Sequence, residues 1–483
     1  MRYNQKRILH ITPHMGGGVG RVIKNICEDS MKYDEYVHEI VCLDYTNESA
    51  VTWSEKISIP VHSSMSHNKR LLLSIINNAD IVHWHWWNHP LNYELLTYVK
   101  IPLCRVIMWS HQNGHKAPHI FNDRVLSYPD IFVVGTPYSL ESDVIKGMSS
   151  KWHKHKLRVI FASPGYQHIE YIRPKEHDGF NVGYIGTVDY MKMHPDYLKM
   201  NLSANIKDAK FIVCGGPSEK GLRQEVHALN ADESFDIRGP VSDISPVLSI
   251  LDVFGYPLAP AHYGASEVAL IEAQAAGVVP VVLDNGCERY IVEDGQTGIV
   301  ASSAKEYSLA LKYLYDNPGE RAVMSQKAQN MARERFQIKN TTKSWHNIYA
   351  ELLELPKTKH SFILKENVGV AVNSRVTLFL DALDKTDEAE LFISALTATD
   401  KVEFDHVLRA MKRLSPIFSS NSNGSIFQYC NFFQDDPAIN YLCGIFSLTA
   451  KTPDRAEGFF AKASSYRDKV KIIMETVATI DKH

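Results

Sequence analysis

The sequence predicts an α/β protein with two doubly wound parallel sheets, followed by a segment that is helical throughout. Three observations predict this: short β-prone runs alternate with amphipathic helical stretches, the alternation restarts after a polar segment, and it stops near residue 356. A chain of 483 residues also exceeds what one hydrophobic core organises, so about three domains are expected. The domains that we predict are residues 1–174, 175–355 and 356–483.

The first domain opens with a β-prone run, a glycine-rich turn and an amphipathic stretch, which is the order strand, loop, helix. The second begins after the polar segment Arg173–Gly179 and closes with a helical stretch at Thr341–Leu353. The runs predicted as strands are Arg7–Thr12, Tyr36–Leu43, Asp80–His85, Arg105–Trp109, Ile131–Val134 and Leu157–Phe161, then Val182–Ile185, Lys210–Cys214, Ser234–Ile237, Val253–Tyr256 and Val279–Leu283. This alternation predicts two Rossmann-like domains in tandem.

The third domain loses the glycine-punctuated strands, and the helical period dominates. Gly444, Ala456, Phe460 and Ala463 keep the spacing of small and aromatic positions in a tetratricopeptide-type (TPR-like) hairpin. A generic amphipathic helix pair is the alternative, since a lone repeat does not bury its own face. We expect this extension to contact a protein or a membrane surface.

Composition excludes several classes of protein. The net charge of −3 disfavours nucleic acid as a partner, because phosphate-backbone binders carry a basic excess. The seven cysteines are scattered and never form a C-x-x-C pair, which predicts a reducing cytosol rather than a disulfide framework or zinc knuckle. No run of about eighteen apolar residues occurs, so we expect a cytoplasmic protein whose membrane contact is at most peripheral, at the inner face.

Four loops that follow predicted strands contain glycine, histidine or charged residues. They are Gly16–Arg21, Gly186–Lys192, Cys214–Pro217 and His262–Gly277. Ligands of open parallel sheets bind at these strand ends, where glycines let the backbone approach a diphosphate and a lysine neutralises its oxygens. A dinucleotide site is the alternative for the first loop, with Asp44 as its only candidate acid for the ribose.

Two acids in the fourth loop and its helix have different expected roles. Glu267 and Glu272 are five positions apart, about 500° of helical rotation, so the two side chains point roughly 140° apart. A paired-carboxylate hydrolase is therefore disfavoured.

From this helix onward the sequence resembles the retaining glycosyltransferases of family four. The matching positions are Glu272-Ala273, Gly277, Pro280-Val281, Glu288 and residues 291–298. The resemblance covers about residues 7–353 and implies the GT-B fold, in which two Rossmann-like domains face a cleft. It further implies retaining, metal-independent transfer from a nucleotide-diphosphate sugar, without a cofactor. The implied acceptor is a glycan, a lipid-linked molecule or a protein, in bacterial-type glycan or glycoconjugate synthesis.

The same resemblance implies which residues form the site. Glu272 would hydrogen-bond the ribose, Lys192 would hold the diphosphate, and His111 would lie beside the transferred sugar. From the resemblance together with the loop residues themselves, we expect the following site. The catalytic residues are His111, Lys192 and Glu267; the donor is bound by Gly17, Gly18, Thr187, Lys192, Gly215, Ser266, Glu267, Val268 and Glu272; and the acceptor side holds His14, His83, His85 and Trp86.

Two positions depart from the family pattern. The family's first glutamate falls at Gly264 and its usual arginine at Thr187, so we expect Glu267 to take over contacts with the sugar hydroxyls. A non-catalytic sugar-nucleotide-binding partner subunit of another transferase is the alternative, against which the retained Lys192 and Glu272 argue. A sugar-nucleotide epimerase of the same architecture is a third hypothesis.

The histidine- and tryptophan-rich run His83–His89 has two interpretations. Imidazoles at alternate positions share one side of a strand and could bind a metal, but no nearby cysteine or acid completes a zinc site, so no metal is expected. We expect the run to line the cleft and to contact the acceptor, with core packing as the alternative for Trp84 and Trp86.

Overall fold

The computed structural model describes residues 5–480, apart from 164, 167–168, 170–171, 365–373, 415, 420–422 and 451. Its N-terminal lobe contains a parallel sheet in the order β3-β2-β1-β4-β5-β6-β7. These strands are β1 Lys6–Thr12, β2 Tyr36–Cys42, β3 Val61–His62, β4 Ile81–Trp86, β5 Val106–Ser110, β6 Ile131–Val134 and β7 Leu157–Val159.

The C-terminal lobe contains a second parallel sheet in the order β10-β9-β8-β11-β12-β13. Its strands are β8 Phe180–Ile185, β9 Ala209–Cys214, β10 Phe235–Gly239, β11 Val253–Tyr256, β12 Val279–Leu283 and β13 Ile299–Ala301. Each strand that the sequence predicts is present, with ends within two residues of those expected. The short strands β3 and β13 were not predicted, because two or three residues do not display a period.

Helices cover both sheets and form the extension. Those of the N-terminal lobe are α1 Gly17–Ser30, α2 Glu48–Ile57, α3 Lys69–Asn78, α4 Pro90–Tyr98, α5 Asp123–Ser127, α6 Asp143–Lys146 and α7 Ser150–Lys156. The next helices are α8 Tyr197–Leu202, α9 Glu219–Ala228, α10 Ser245–Leu248, α11 Val268–Ala275, α12 Ala304–Asp316, α13 Pro318–Arg335 and α14 Ile338–Leu353. The extension contains α15 Val376–Leu383, α16 Asp387–Thr397, α17 Lys401–Met411, α18 Ile426–Phe432, α19 Pro437–Thr449, α20 Pro453–Lys462 and α21 Arg467–Ile480.

Every residue of β4 is buried, as expected for a parallel strand covered on both faces. Because side chains alternate across a strand, its histidines and tryptophans face opposite ways. Trp84 and Trp86 belong to the core that the lobe shares with the extension. His83 packs against Trp345 of α14, on the other face.

Helix α14 belongs in space to the N-terminal lobe, although it follows the C-terminal lobe in the chain. Its apolar face joins a core cluster with Ile8, Ile107 and Trp109. The last helix of the stretch predicted as the second domain, 175–355, therefore packs on the first lobe. The helical pattern of the sequence does not predict this long-range contact.

The helical extension packs on the N-terminal lobe, where Arg124 pairs with the buried Asp381 at 2.7 Å. Helices α19 and α20 form a packed pair, which agrees both with a TPR-like hairpin and with a generic amphipathic helix pair. A Cβ added at Gly444 would lie 2.3 Å from the Phe460 ring, so a side chain there would push these helices apart. Among the described residues, no helix combines the length and the apolar character needed to cross a bilayer.

Candidate active site

A cleft of about 440 Å³ lies between the two lobes, at the carboxyl ends of the parallel strands. Loops from both lobes close around it. Asn113 donates its side-chain amide to the carbonyl oxygen of His262 at 2.7 Å, and Arg289 pairs with Glu141 at 2.6 Å. Three of the four loops predicted to meet a ligand line this cleft, whereas Cys214–Pro217 does not.

The glycine loop at the start of α1 opens the cleft to a ligand's approach. Gly17 has a φ of +65°, and an added Cβ at Gly17 or Gly18 would have no heavy atom within 4 Å. Both therefore present backbone to open space. Gly20 has a different role, because its Cβ would lie 1.8 Å from the Met15 carbonyl oxygen, which fixes the turn.

On the opposite wall, Lys192 lies 2.9 Å from the buried carboxylate of Glu267. Glu267 also accepts a hydrogen bond of 2.7 Å from the Tyr256 hydroxyl. Burial alone lowers the pKa of Lys192, but the attraction of Glu267 outweighs it and raises that pKa. Burial acts in the opposite sense on Glu267, where Lys192 and then His262 lower the pKa overall. Both groups are therefore ionised at neutral pH.

The Glu267 carboxylate occupies the space beside Gly264. A Cβ built on Gly264 would lie 1.9 Å from Glu267 Oε1, so a side chain at position 264 would project to the place where this carboxylate lies. The carboxylate is thus supplied from a position three residues later in the chain. Only a glycine at 264 leaves room for it.

Glu272 projects from α11 into the cleft and is almost completely buried. Its Oε1 accepts a hydrogen bond of 2.5 Å from Arg21 of α1, which joins the two lobes. Arg21 follows the glycine loop directly and was given no role in the sequence analysis. The two residues are 251 positions apart in the chain, so no local sequence pattern predicts this contact.

The start of α11 offers polar groups to the same cleft. Ser266, Glu267 and Val268 all line it, and the buried Ser266 hydroxyl has no hydrogen-bond partner among the described residues. First-turn amides of a helix lack acceptors within the helix and carry the positive end of its dipole. Thr187 lines the cleft as well.

The other predicted donor glycine lies outside the lining. A Cβ at Gly215 would lie 1.8 Å from the carbonyl oxygen of Gly186, so Gly215 lets the loops after β8 and β9 pack together. Its φ of +137° also favours glycine. The role that the structure gives it is positioning of the Gly186 loop.

A second pair of buried side chains, a histidine and a glutamate, lies in the same wall. His262 Nε2 lies 3.1 Å from Glu288 Oε1, and each side chain is 1% exposed. Burial alone would lower the pKa of His262, but Glu288 raises it overall. The match at Glu288 thus corresponds to a residue that holds His262 and the adjoining loop.

The residues predicted on the acceptor side separate into two groups. His14 lines the cleft, and so does His111. His83, His85 and Trp86 do not: all three are completely buried within the N-terminal lobe, because β4 is covered on both faces. The expectation that they contact an acceptor is corrected accordingly. Trp87, the next residue, is the tryptophan of this run that reaches the cleft.

Sequence reasoning missed two further cleft residues, His119 and Asn423. The ring of His119 hydrogen-bonds to the backbone of Asn423 and packs against Tyr263 of the fourth predicted loop. Asn423 belongs to the helical extension, which therefore contributes to the cleft. His119 and Asn423 come from distant parts of the chain, and neither belongs to a recognisable motif.

Within the described residues, two groups of side chains bring metal-ligand atoms to within 4.8 Å of one another. They are His10, His83 and His85, and His10, Cys27 and His38. His89, the third histidine of the sequence-based cluster, lies apart and accepts from the Leu91 amide. The rings of His83 and His85 are stacked with an interplanar angle of 13°. Because an ion lies near the plane of each imidazole that binds it, stacked rings do not suit a shared ion.

Residues 169–331 match the family described as Glycosyl transferases group 1. A D-inositol 3-phosphate glycosyltransferase of Salinispora tropica is 26% identical over 200 residues, which cover 38% of this chain and 40% of that protein. A 2-deoxystreptamine N-acetyl-D-glucosaminyltransferase of Niallia circulans is 34% identical over 102 residues, covering 20% and 25%. The chain thus matches less than half the length of either relative.

The fold has a counterpart among solved structures. Anabaena Alr3699/HepE, in complex with UDP and glucose, aligns with a TM-score of 0.57 over 72% of this chain and 100% of that one. At 14% identity this likeness concerns the fold. The chain therefore has the GT-B fold, and its C-terminal lobe matches the group 1 glycosyl transferases.

Proposed function

We propose that the chain is a retaining glycosyltransferase that moves a sugar from a nucleotide-diphosphate donor to an acceptor bound against the N-terminal lobe. One observation carries the proposal. A glycine loop, the Lys192 ammonium, the first turn of α11 and the Glu272 carboxylate all face one cleft. This set combines cationic, amide and carboxylate groups that suit a nucleoside diphosphate.

In this proposal the C-terminal lobe holds the donor. Glu272 accepts hydrogen bonds from the ribose, while Lys192, the Ser266 hydroxyl and the α11 amides neutralise the leaving diphosphate. Arg21, which meets Glu272 across the cleft, adds a second cation on the other side. Two cations and a helix terminus support departure of the diphosphate without a metal ion.

Glu267 contacts the transferred sugar in place of a glutamate at position 264. The support for this role is the shared space, since its carboxylate lies where a side chain at 264 would project. Its ion pair of 2.9 Å with Lys192 supports adjacent roles for the two side chains, in binding the sugar and the diphosphate. The acceptor then enters on the side of His14, Trp87 and Asn423, all of which line the cleft.

A panel of UDP-glucose, UDP-N-acetylglucosamine and GDP-mannose tests the proposed function, by calorimetric binding followed by turnover with and without EDTA. We expect binding of one donor, transfer or donor hydrolysis that EDTA does not abolish, and a product with the donor's anomeric configuration by NMR. Binding without turnover would favour the non-catalytic partner subunit. Donor conversion without any acceptor or hydrolysis would favour an epimerase.

Transferring the carboxylate from position 267 to position 264 by mutation tests the role of Glu267. The variant Glu267→Gly should lower turnover about a hundredfold, comparable to the loss of one preorganised electrostatic group. The double variant Gly264→Glu/Glu267→Gly should recover most of that loss, because the acid returns to the same space. The single variant Gly264→Glu is the control and should be impaired, since two carboxylates then compete for one site. No recovery in the double variant would remove Glu267 from the sugar site.

A further inference from the structure

A continuous chain of hydrogen bonds runs through the N-terminal lobe along one face of its sheet, from the cleft to the surface near the opposite ends of the strands. Its links are His111 Nε2 to His85 Nδ1 at 2.9 Å, His85 Nε2 to His10 Nδ1 at 3.0 Å, His10 Nε2 to His38 Nδ1 at 2.9 Å, His38 Nε2 to Ser30 Oγ at 2.8 Å, and Ser30 Oγ to His346 Nε2 at 2.7 Å. We call these six residues the imidazole relay. His111 lines the cleft, and at the other end His346 Nδ1 lies 4.0 Å from the exposed Glu35.

The inner rings of the relay use both nitrogens and have no alternative partner in solvent. His10, His38 and His85 are at most 5% exposed. Burial lowers the pKa of each well below its usual value, and neighbouring histidines lower it further. A neutral imidazole has one donor and one acceptor nitrogen. Every link is therefore satisfied only when all members donate in the same direction, so the proton positions of the relay are coupled from end to end.

We propose that the imidazole relay carries the proton released by the acceptor hydroxyl from the cleft to the surface, a role that rests on the proposed function. Sugar transfer forms a bond from the acceptor oxygen to the sugar carbon, while the diphosphate leaves with the electron pair of the broken bond. The acceptor oxygen must lose its proton. His111 Nδ1, the ring nitrogen that His85 does not use, accepts it.

Each following step keeps the protons balanced. As His111 gains a proton at Nδ1, it passes the proton on Nε2 to the next ring, and every ring passes on its own Nε2 proton in turn. Ser30 receives one proton and donates its own to His346, which releases the Nδ1 proton to Glu35 or to water. One proton has then crossed the lobe, and each ring has exchanged its tautomer. Histidine suits this because both tautomers are neutral and close in energy.

His83 lies beside the relay without belonging to it. Its ring stacks on His85 at a centroid distance of 4.6 Å, but its Nδ1 is bonded to the Tyr349 hydroxyl at 2.9 Å. Tyr349 therefore offers a matched control for Ser30, because each contributes one hydroxyl to a buried histidine. The relay depends on Ser30 and does not depend on Tyr349.

The first test needs no substrate. Long-range ¹⁵N NMR of the protein with labelled histidine should show one and the same neutral tautomer at His10, His38, His85 and His111. Opposite tautomers in two neighbouring rings would overturn the relay, because two donors or two acceptors would then face each other. One metal ion per chain by mass spectrometry, with ring nitrogen shifts typical of coordination, would also overturn it.

The second test compares Ser30→Ala with Tyr349→Phe in hydrolysis of the three panel donors, where water is the acceptor and likewise releases a proton. Ser30→Ala should lower kcat about tenfold and raise the solvent deuterium isotope effect, with the donor KM unchanged, because proton transfer becomes limiting. Tyr349→Phe should leave both quantities at the wild-type value. Equal effects of the two variants, or an unchanged isotope effect in Ser30→Ala, would overturn the relay.

A variant at the surface end of the imidazole relay distinguishes loss of proton transfer from failure to fold. His346→Ala should show the same loss of kcat, and imidazole added to the buffer should restore it by filling the vacated space. Loss without rescue would mean that His346 has a structural role and would overturn the relay. A wild-type chain that hydrolyses and transfers none of the donors would instead overturn the proposed function, and the tautomers would still decide the relay.

Discussion

The two walls of the cleft differ in how their buried polar side chains are stabilised. The C-terminal wall buries titratable groups in pairs, Lys192 with Glu267 at 2.9 Å and His262 with Glu288 at 3.1 Å. The N-terminal wall buries uncharged imidazoles, and the pKa of His111 falls to about 3 because of desolvation. An unpaired buried ion costs several kcal/mol, so a wall must either pair its charges or hold neutral groups.

The difference indicates which chemistry each wall supports. In the proposed function, the fixed charges on the C-terminal side stabilise a diphosphate, whose charge increases as it leaves. Neutral rings on the N-terminal side exchange protons without a change in net charge. The walls therefore divide the proposed reaction between electrostatic stabilisation and proton transfer.

The largest expected effect is on stability in acid. The folded-state pKa values of His10, His38, His83 and His85 lie well below the usual 6.5. Below about pH 6.5 the unfolded chain takes up protons that the folded chain does not, so the free energy of unfolding falls with pH. At about 1.4 kcal/mol per pH unit for each histidine, the four together remove on the order of 5 kcal/mol per unit.

Thermal unfolding between pH 8 and pH 5 measures this effect. We expect a Tm that is constant above about pH 7 and falls steeply below about pH 6. The exposed His155 offers a control, because His155→Gln should leave the profile unchanged. A Tm that does not change down to pH 5 would mean that these rings are charged in the folded protein, and the contrast between the walls would disappear.

The next effect is the loss of the ammonium group from the charged wall. Lys192→Ala should lower kcat for the turned-over donor by about a hundredfold or more, as for other preorganised donors to a developing charge. Lys199→Ala, whose side chain is 74% exposed, is the matched control and should be neutral. Because Glu267 loses its partner, circular dichroism at the assay temperature should accompany the kinetics. Wild-type kcat in a folded Lys192→Ala protein would contradict the assignment.

The smallest effect concerns the ribose. Glu272→Ala should weaken binding of the nucleoside diphosphate about tenfold while the fold stays intact, because a hydrogen bond to a charged group contributes about 1.5–3 kcal/mol. Titration calorimetry with UDP and GDP measures this. Glu293→Ala, an exposed acid in the loop that follows, is the comparison variant. Equal affinity in Glu272→Ala and wild type would place the ribose elsewhere.

The elements and their order follow from local patterns in the sequence. Strands and helices follow from periods of two and of 3.6 residues, which are local properties, and this is why β1 to β12 apart from β3 were predicted within two residues of their ends. The same local pattern located three loops that line the cleft, because the carboxyl ends of parallel strands meet at one edge.

Contacts between side chains that are distant in the chain depend on tertiary packing. Arg21 and Glu272 are separated by 251 positions, and Ser30 and His346 by 316, so their contacts depend on how the lobes and α14 pack. Burial also depends on tertiary packing. The composition of β4 predicts a run that lines the cleft, but the strand is covered on both faces. His85 therefore lies inside the lobe, where it hydrogen-bonds to His111. Local periods specify backbone conformation, whereas contacts between distant residues arise only when the chain has packed.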